Sequence, residues 1–143
     1  MSPLDILQNK FGYNSFRANQ EEIITRTLNN QDSFVLMPTG GGKSLCYQIP
    51  ALIFKGLTIV ISPLIALMKD QVDALRVNGI EAAYLNSSST DEERASIFKA
   101  LEAGRLKLLY VAPERLFGAG EFLTFIKKYP ISLFAIDEAH CIS

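Results

Sequence analysis

Short apolar, partly β-branched runs recur along the chain at 33–37, 57–61, 81–85, 106–111 and 132–136, each of a length suited to one strand. Between them the apolar positions change to helical spacing. Ile23, Ile24, Thr27 and Leu28 lie on one helical face, with Asn19 and Glu22 placed as a cap and its reciprocal partner. Pro63, following Ser62, stands at a helix start, and Leu64, Leu67, Met68, Val72 and Leu75 form a stripe that runs to Gly79. Thr90 and Glu93 make a second capping-box pattern. Ile97, Phe98 and Leu101 then line one face, and Gly104 ends the helix. The segment after Lys43 also reads as a helix, which Pro50 should kink or end by removing a backbone hydrogen bond.

Strands alternating with helices predict an α/β fold with a mostly parallel sheet, built from βαβ units and covered by helices on both faces. Asn86, Ser87, Ser88 and Ser89 form the one polar cluster, a loop ahead of the capped helix. With 143 residues and 48% hydrophobic content the chain fits a single domain with one core. Its net charge of −1 supplies no general basic field, so any contact with nucleic acid must be local. No apolar run approaches the roughly 20 residues of a membrane span, and no signal segment is evident. The expectation is a soluble intracellular protein with no membrane partner. The two cysteines, Cys46 and Cys141, and the single histidine, His140, lack the spacing of a metal centre.

The chemistry begins at Met37, Pro38, Thr39, Gly40, Gly41, Gly42, Lys43 and Ser44, between a strand pattern and a helix pattern. Successive glycines allow a tight turn whose N–H groups point inward at phosphates. Lys43 adds a point charge, and Ser44 offers a hydroxyl to Mg2+. Met37 departs from the strict phosphate-loop pattern, which has glycine there. A second element supports the assignment. The run at 132–136 is followed at once by Asp137 and Glu138. In open parallel sheets the ligand crevice lies at the carboxyl ends of the strands, so Asp137 is expected to face the glycine loop and serve Mg2+, with Glu138 polarising the attacking water.

The stretch from Met37 to Leu52, MPTGGGKSLCYQIPAL, together with DEAHCIS from Asp137, resembles the first RecA-like motor lobe of RecQ DNA helicases. ISPLIALMKDQV from Ile61 and YVAPERL from Tyr110 fall in that family's order, and a methionine in the first glycine position is usual there. The resemblance covers nearly the whole chain. It implies a three-layer RecA-like (P-loop) lobe over residues 1–143, with ATP and Mg2+ bound and hydrolysis driving 3′-to-5′ unwinding. The segments Phe11-Gly12-Tyr13 and Phe16 to Gln20 are similar to the family's adenine-recognition segment. By that likeness Gln20 bonds the adenine edge, with Arg17 and the Tyr13 ring near the base, whereas Phe16 is read as a core aromatic. Gly40, Gly41, Gly42 and Lys43 hold the phosphates, Ser44 and Asp137 serve the metal, and Glu138 is the catalytic base. His140 couples hydrolysis to a second lobe.

For single-stranded and partly duplex DNA, the resemblance implies phosphate contacts from the segments starting at Ser62 and Ala112. Ser62-Pro63 and Ala112-Pro113 look like helix starts, whose exposed N–H groups attract anions without net positive charge. Lys69, Arg115 and the loop from Asn86 are further candidates. The sequence ends three residues after His140, so the lobe is expected to be incomplete, truncated after the DEAH segment and lacking the second lobe and any C-terminal domains. That second lobe carries an arginine of a kind typically contributing about 10³–10⁵ in rate, so this part alone should hydrolyse ATP very slowly or not at all. A nucleotide- and DNA-binding fragment without turnover, and a DEAD-box-like RNA helicase lobe, are the alternatives. The expected compartment is cytoplasmic, nucleoid-associated or nuclear, depending on source.

Overall fold

Five strands form one sheet in the order β1-β5-β2-β4-β3, and every neighbouring pair is parallel. They are β1 (Phe34–Met37), β2 (Leu57–Ile61), β3 (Ala82–Leu85), β4 (Leu108–Val111) and β5 (Ile131–Asp137), interleaved with helices α1 (Pro3–Lys10), α2 (Gln20–Asn29), α3 (Leu45–Ile53), α4 (Ile65–Val77) and α5 (Asp91–Glu102). The computed structural model describes residues 2–17, 20–29, 34–37, 44–62, 65–86, 89–112 and 128–137. The expected α/β class with a parallel sheet is what the chain adopts, and all five expected strands occur within two residues of their expected bounds.

β2 and β4 are buried on both faces, which is why their sequences run apolar without alternation. The sheet's side chains nevertheless divide by the two-residue period. Val60, Leu108, Tyr110, Leu133 and Ala135 pack under α3 and α4 with Cys46, Tyr47, Met68, Val72 and Leu75. Leu57, Ile59, Ile61, Leu109 and Val111 face the other way, onto Ile97, Ala100 and Leu101 of α5. Three layers result. A third apolar group joins Ile6 and Leu7 of α1 to Ile24, Leu45 and Ile49, so α1 and α2 extend the α3 side.

The α5 capping box forms as expected: Glu93 N–H donates to the Thr90 hydroxyl at 3.1 Å, and Thr90 N–H donates to the Glu93 carboxylate at 2.8 Å. Those bonds hold the Glu93 carboxyl below its ordinary range, because they favour its charged form. Gly104 follows the helix at φ 69°, where a side chain would be strained.

One expectation needs correction, one is narrowed, and one helix lies outside the expected elements. Phe98 is 42% exposed, and Ala100 takes the inner position beside Ile97 and Leu101. A residue directly after Ile97 is rotated about 100° from it on a helix, too far to share a narrow buried stripe. Pro50 does not end its helix: α3 continues to Ile53, and Phe54 N–H closes the last turn on the Pro50 carbonyl at 2.9 Å. The helix is buried from Leu45 to Ala51, so packing offsets the one lost ladder bond. Finally, α1 was not anticipated. Its signal is present in Ser2, Pro3 and Asp5, which form a capping box with proline at the first turn.

Candidate nucleotide site

The site is framed by two strand ends and one helix start. β1 and β5 are parallel neighbours, in register from Phe34 opposite Phe134 to Met37 opposite Asp137. The glycine loop therefore leaves β1 beside an aspartate that ends the next strand. Pro38, Thr39, Gly40, Gly41, Gly42, Lys43, Glu138 and His140 lie outside the described residues.

The chain is described again at Ser44, which stands immediately before α3 with φ −60° and ψ −31°. Its carbonyl accepts from Tyr47 N–H at 3.2 Å and Gln48 N–H at 3.0 Å. Its hydroxyl makes no capping bond to the helix, unlike those of Ser2 and Thr90. A serine cap normally has extended backbone angles that aim the hydroxyl at the second or third N–H, and helical angles here turn it elsewhere. A hydroxyl not engaged in capping and a carboxylate are both hard oxygen donors of the kind Mg2+ takes.

Leu7, Tyr13, Ser15, Arg17, Gln20 and Leu45 line a pocket beside the start of α3. Gln20, the first residue of α2, is buried, and its side-chain oxygen accepts from Arg17 N–H at 2.7 Å. In return Gln20 N–H donates to the Arg17 carbonyl at 2.9 Å. These bonds hold the amide at one orientation. Tyr13 is 52% exposed at this pocket, whereas Phe16 is half-buried against Ile6, Leu7, Ile24 and Ile49, as a core aromatic should be. Sequence reasoning missed Leu7, Ser15 and Leu45. Leu7 belongs to the unforeseen α1, and Leu45 follows the loop so closely that it reads as core.

Because the sheet is parallel, β2, β3 and β4 end on the same edge as β1 and β5. Ser62, Asn86 and Ala112, each immediately after its strand, are all buried. Ser62 N–H donates to the Val111 carbonyl at 3.0 Å, and Ala112 N–H to the Leu85 carbonyl at 3.3 Å, so both amides prolong the sheet by one residue. The first-turn N–H groups expected to meet phosphates after Ser62-Pro63 and Ala112-Pro113 fall at positions 63–64 and 113 onward, outside the described residues. Asn86 N–H donates to the Ser89 hydroxyl at 3.1 Å. Lys69 is exposed on α4, and Pro63 and Arg115 lie outside the described residues.

A parallel sheet in which a glycine-rich sequence follows β1 and the adjacent β5 ends on an aspartate is the pattern of a P-loop lobe. The model of the DEAD/DEAH box helicases matches residues 17–143, and the chain belongs to that family. Within it the sequence is of the RecQ kind. It is 58% identical over 140 residues to the ATP-dependent DNA helicase RecQ of Haemophilus influenzae, covering 98% of this chain and 22% of that protein. Identity to the protein of the same name in Pasteurella multocida is 60%, with the same coverage of both. The RecQ-like DNA helicase BLM of Xenopus laevis is 46% identical over 98% of this chain and 11% of its own length. The chain thus spans about a fifth of the first two relatives. Among solved structures, the DUF1998 helicase MrfA superposes with a TM-score of 0.67 at 19% identity, covering 97% of this chain and 23% of that one, a likeness of fold.

Proposed function

We propose that this chain is the ATP-binding lobe of a RecQ-type DNA helicase, working in a longer protein with a second RecA-like lobe to unwind DNA in the 3′-to-5′ direction. The observation that carries the reading is the register of Met37 with Asp137, which brings the start of the glycine loop and the acidic segment to one place.

Each residue then has a task. Amides of Gly40, Gly41 and Gly42 cradle the phosphates, and Lys43 neutralises charge on the outer ones. Ser44 and Asp137 would hold Mg2+, which would offset negative charge on the phosphates. Glu138, next in the chain after the Asp137 strand end, accepts a proton from the attacking water. Gln20 donates from its amide nitrogen to one acceptor on the adenine edge and accepts from the exocyclic amine, while Tyr13 lies against the ring and Arg17 beside it. His140 passes the state of the γ-phosphate towards the second lobe.

Two measurements test this. In the full-length protein, ATPase activity should be stimulated by single-stranded DNA much more than by RNA homopolymers, and a preference for RNA would defeat the assignment to the RecQ type. Gln20→Ala should erode the preference for ATP over GTP by about tenfold or more, since losing a paired polar contact costs about 1–3 kcal/mol and phosphates cannot distinguish bases. Unchanged discrimination would remove Gln20 from the site.

A further inference from the structure

Four polar side chains lie together beneath α3, in the layer between the helices and the sheet. Gln48 Nε2 donates to the Tyr110 hydroxyl at 3.1 Å, the Tyr110 and Tyr47 hydroxyls are 3.0 Å apart, and the Tyr47 hydroxyl donates to Gln71 Oε1 at 2.6 Å. Tyr47, Gln48 and Tyr110 are 3%, 5% and 1% exposed, and the Tyr47 and Tyr110 rings meet edge to face at 6.2 Å. An apolar filling of the same volume would have been simpler, since every polar group buried here must first lose its water.

The proton order follows from valence. An amide oxygen only accepts, so the single Tyr47 hydrogen goes to Gln71. Tyr110 must then be the donor to Tyr47, and its own oxygen receives Gln48. The chain of donation therefore runs Gln48 to Tyr110 to Tyr47 to Gln71, crossing from α3 to β4, back to α3 and on to α4. Consecutive residues of α3 hold Tyr110 from two sides. A rotation or slide of α3 by a fraction of a turn breaks the chain and leaves buried donors unsatisfied, at a cost larger than that of a surface hydrogen bond.

The elements it joins differ in task. Tyr47 and Gln48 lie in the first turn of α3, their own N–H groups on the Ser44 carbonyl at the end of the glycine loop. Tyr110 is two residues before Ala112, and Gln71 lies on α4, which follows Ser62 and Pro63. We propose that Tyr47 and Tyr110 are positioning residues that lock the helix after the glycine-rich segment to the two segments, after Ser62 and after Ala112, that the RecQ resemblance assigns to DNA, so that DNA engagement is transmitted to the nucleotide through this chain. The inference rests on the function proposed above and adds the route by which its two ligands are coupled.

The test uses Tyr110→Phe and Tyr47→Phe in the full-length protein, with Gln71→Leu as a third variant that interrupts the chain at its other end. Each keeps the bulk of its site. The expected result is DNA-free ATPase and ATP KM within about twofold of wild type, single-stranded DNA affinity retained, and a DNA-stimulated kcat lowered about tenfold in all three. Equal loss of basal and stimulated rates would show a merely structural role and overturn the proposal. Full stimulation in the variants would overturn it too, while leaving the helicase reading intact. A wild-type protein that DNA fails to stimulate would defeat the helicase reading itself, and this inference with it. Should a tyrosine variant unfold, Gln71→Leu decides alone by the same ratio.

Discussion

Glu138→Gln in the full-length protein is expected to lower ATP turnover by about 10³-fold while ATP affinity stays within about twofold. Glutamine keeps the size and polarity of the side chain but cannot take a proton from water. On the proposed function binding is served by other groups, namely the glycine amides, Lys43 and the Gln20 pocket, so it should survive. The expectation depends on where β5 ends. Asp137 is level with Met37 on the neighbouring strand, so Glu138 follows directly on the strand end that lies beside the start of the glycine-rich sequence. Single-turnover hydrolysis and nucleotide titration on the same preparation separate the two effects. Loss of ATP binding in the variant would make Glu138 structural and leave the proton acceptor to be found elsewhere.

The largest effect on stability is expected at Gly56, on the sheet edge opposite the site. A Cβ there would lie 2.5 Å from the Ser132 hydroxyl oxygen and 2.6 Å from the Pro130 carbonyl oxygen. The second neighbour is backbone and cannot swing aside. It is already bound, accepting from Leu57 N–H at 2.8 Å, while Gly56 N–H donates to Ser132 at 2.9 Å. Gly56→Ala must therefore pry β2 from the start of β5, at about 3 kcal/mol by the cost of overpacking a closed site. Ser132→Ala removes only the hydrogen bond and should cost about 1 kcal/mol. Urea unfolding of the two variants measures the difference. Near-equal losses would show that the crowding at Gly56 relaxes freely.

The strands were legible because each is a run of β-branched and aliphatic residues, and the capped helix because Thr90 and Glu93 state its start. The pairing of the glycine loop with Asp137 was also legible, since only a parallel sheet makes both sit at one edge. Hidden from the sequence was the order of strands: nothing in the run at 132–136 shows that it enters between β1 and β2. How the chain leaves the sheet at Ser62 and Ala112 was hidden for a related reason. A serine or alanine before proline looks like a helix start, but whether its own N–H still joins the sheet depends on how far the neighbouring strand extends. Met37 and Ser44 could be placed by motif, whereas the hydrophobic wall given by Leu7 and Leu45 needed the packing of α1 on α3.

The insertion of β5 also sets an order of assembly. β2, β4 and β3 are contiguous in the sheet and can pair with one another once residue 111 has left the ribosome. β1, although made before them, has β5 as its sheet neighbour among the described residues, and so waits for residues 131–137. A contact spanning about a hundred residues is slow to close, and until it does the strand carrying the glycine loop is an unpaired apolar segment. The strand that leads into the glycine-rich sequence is thus the last to find its place during synthesis, and on the proposed function nucleotide present at that moment would favour the finished sheet over its open precursor.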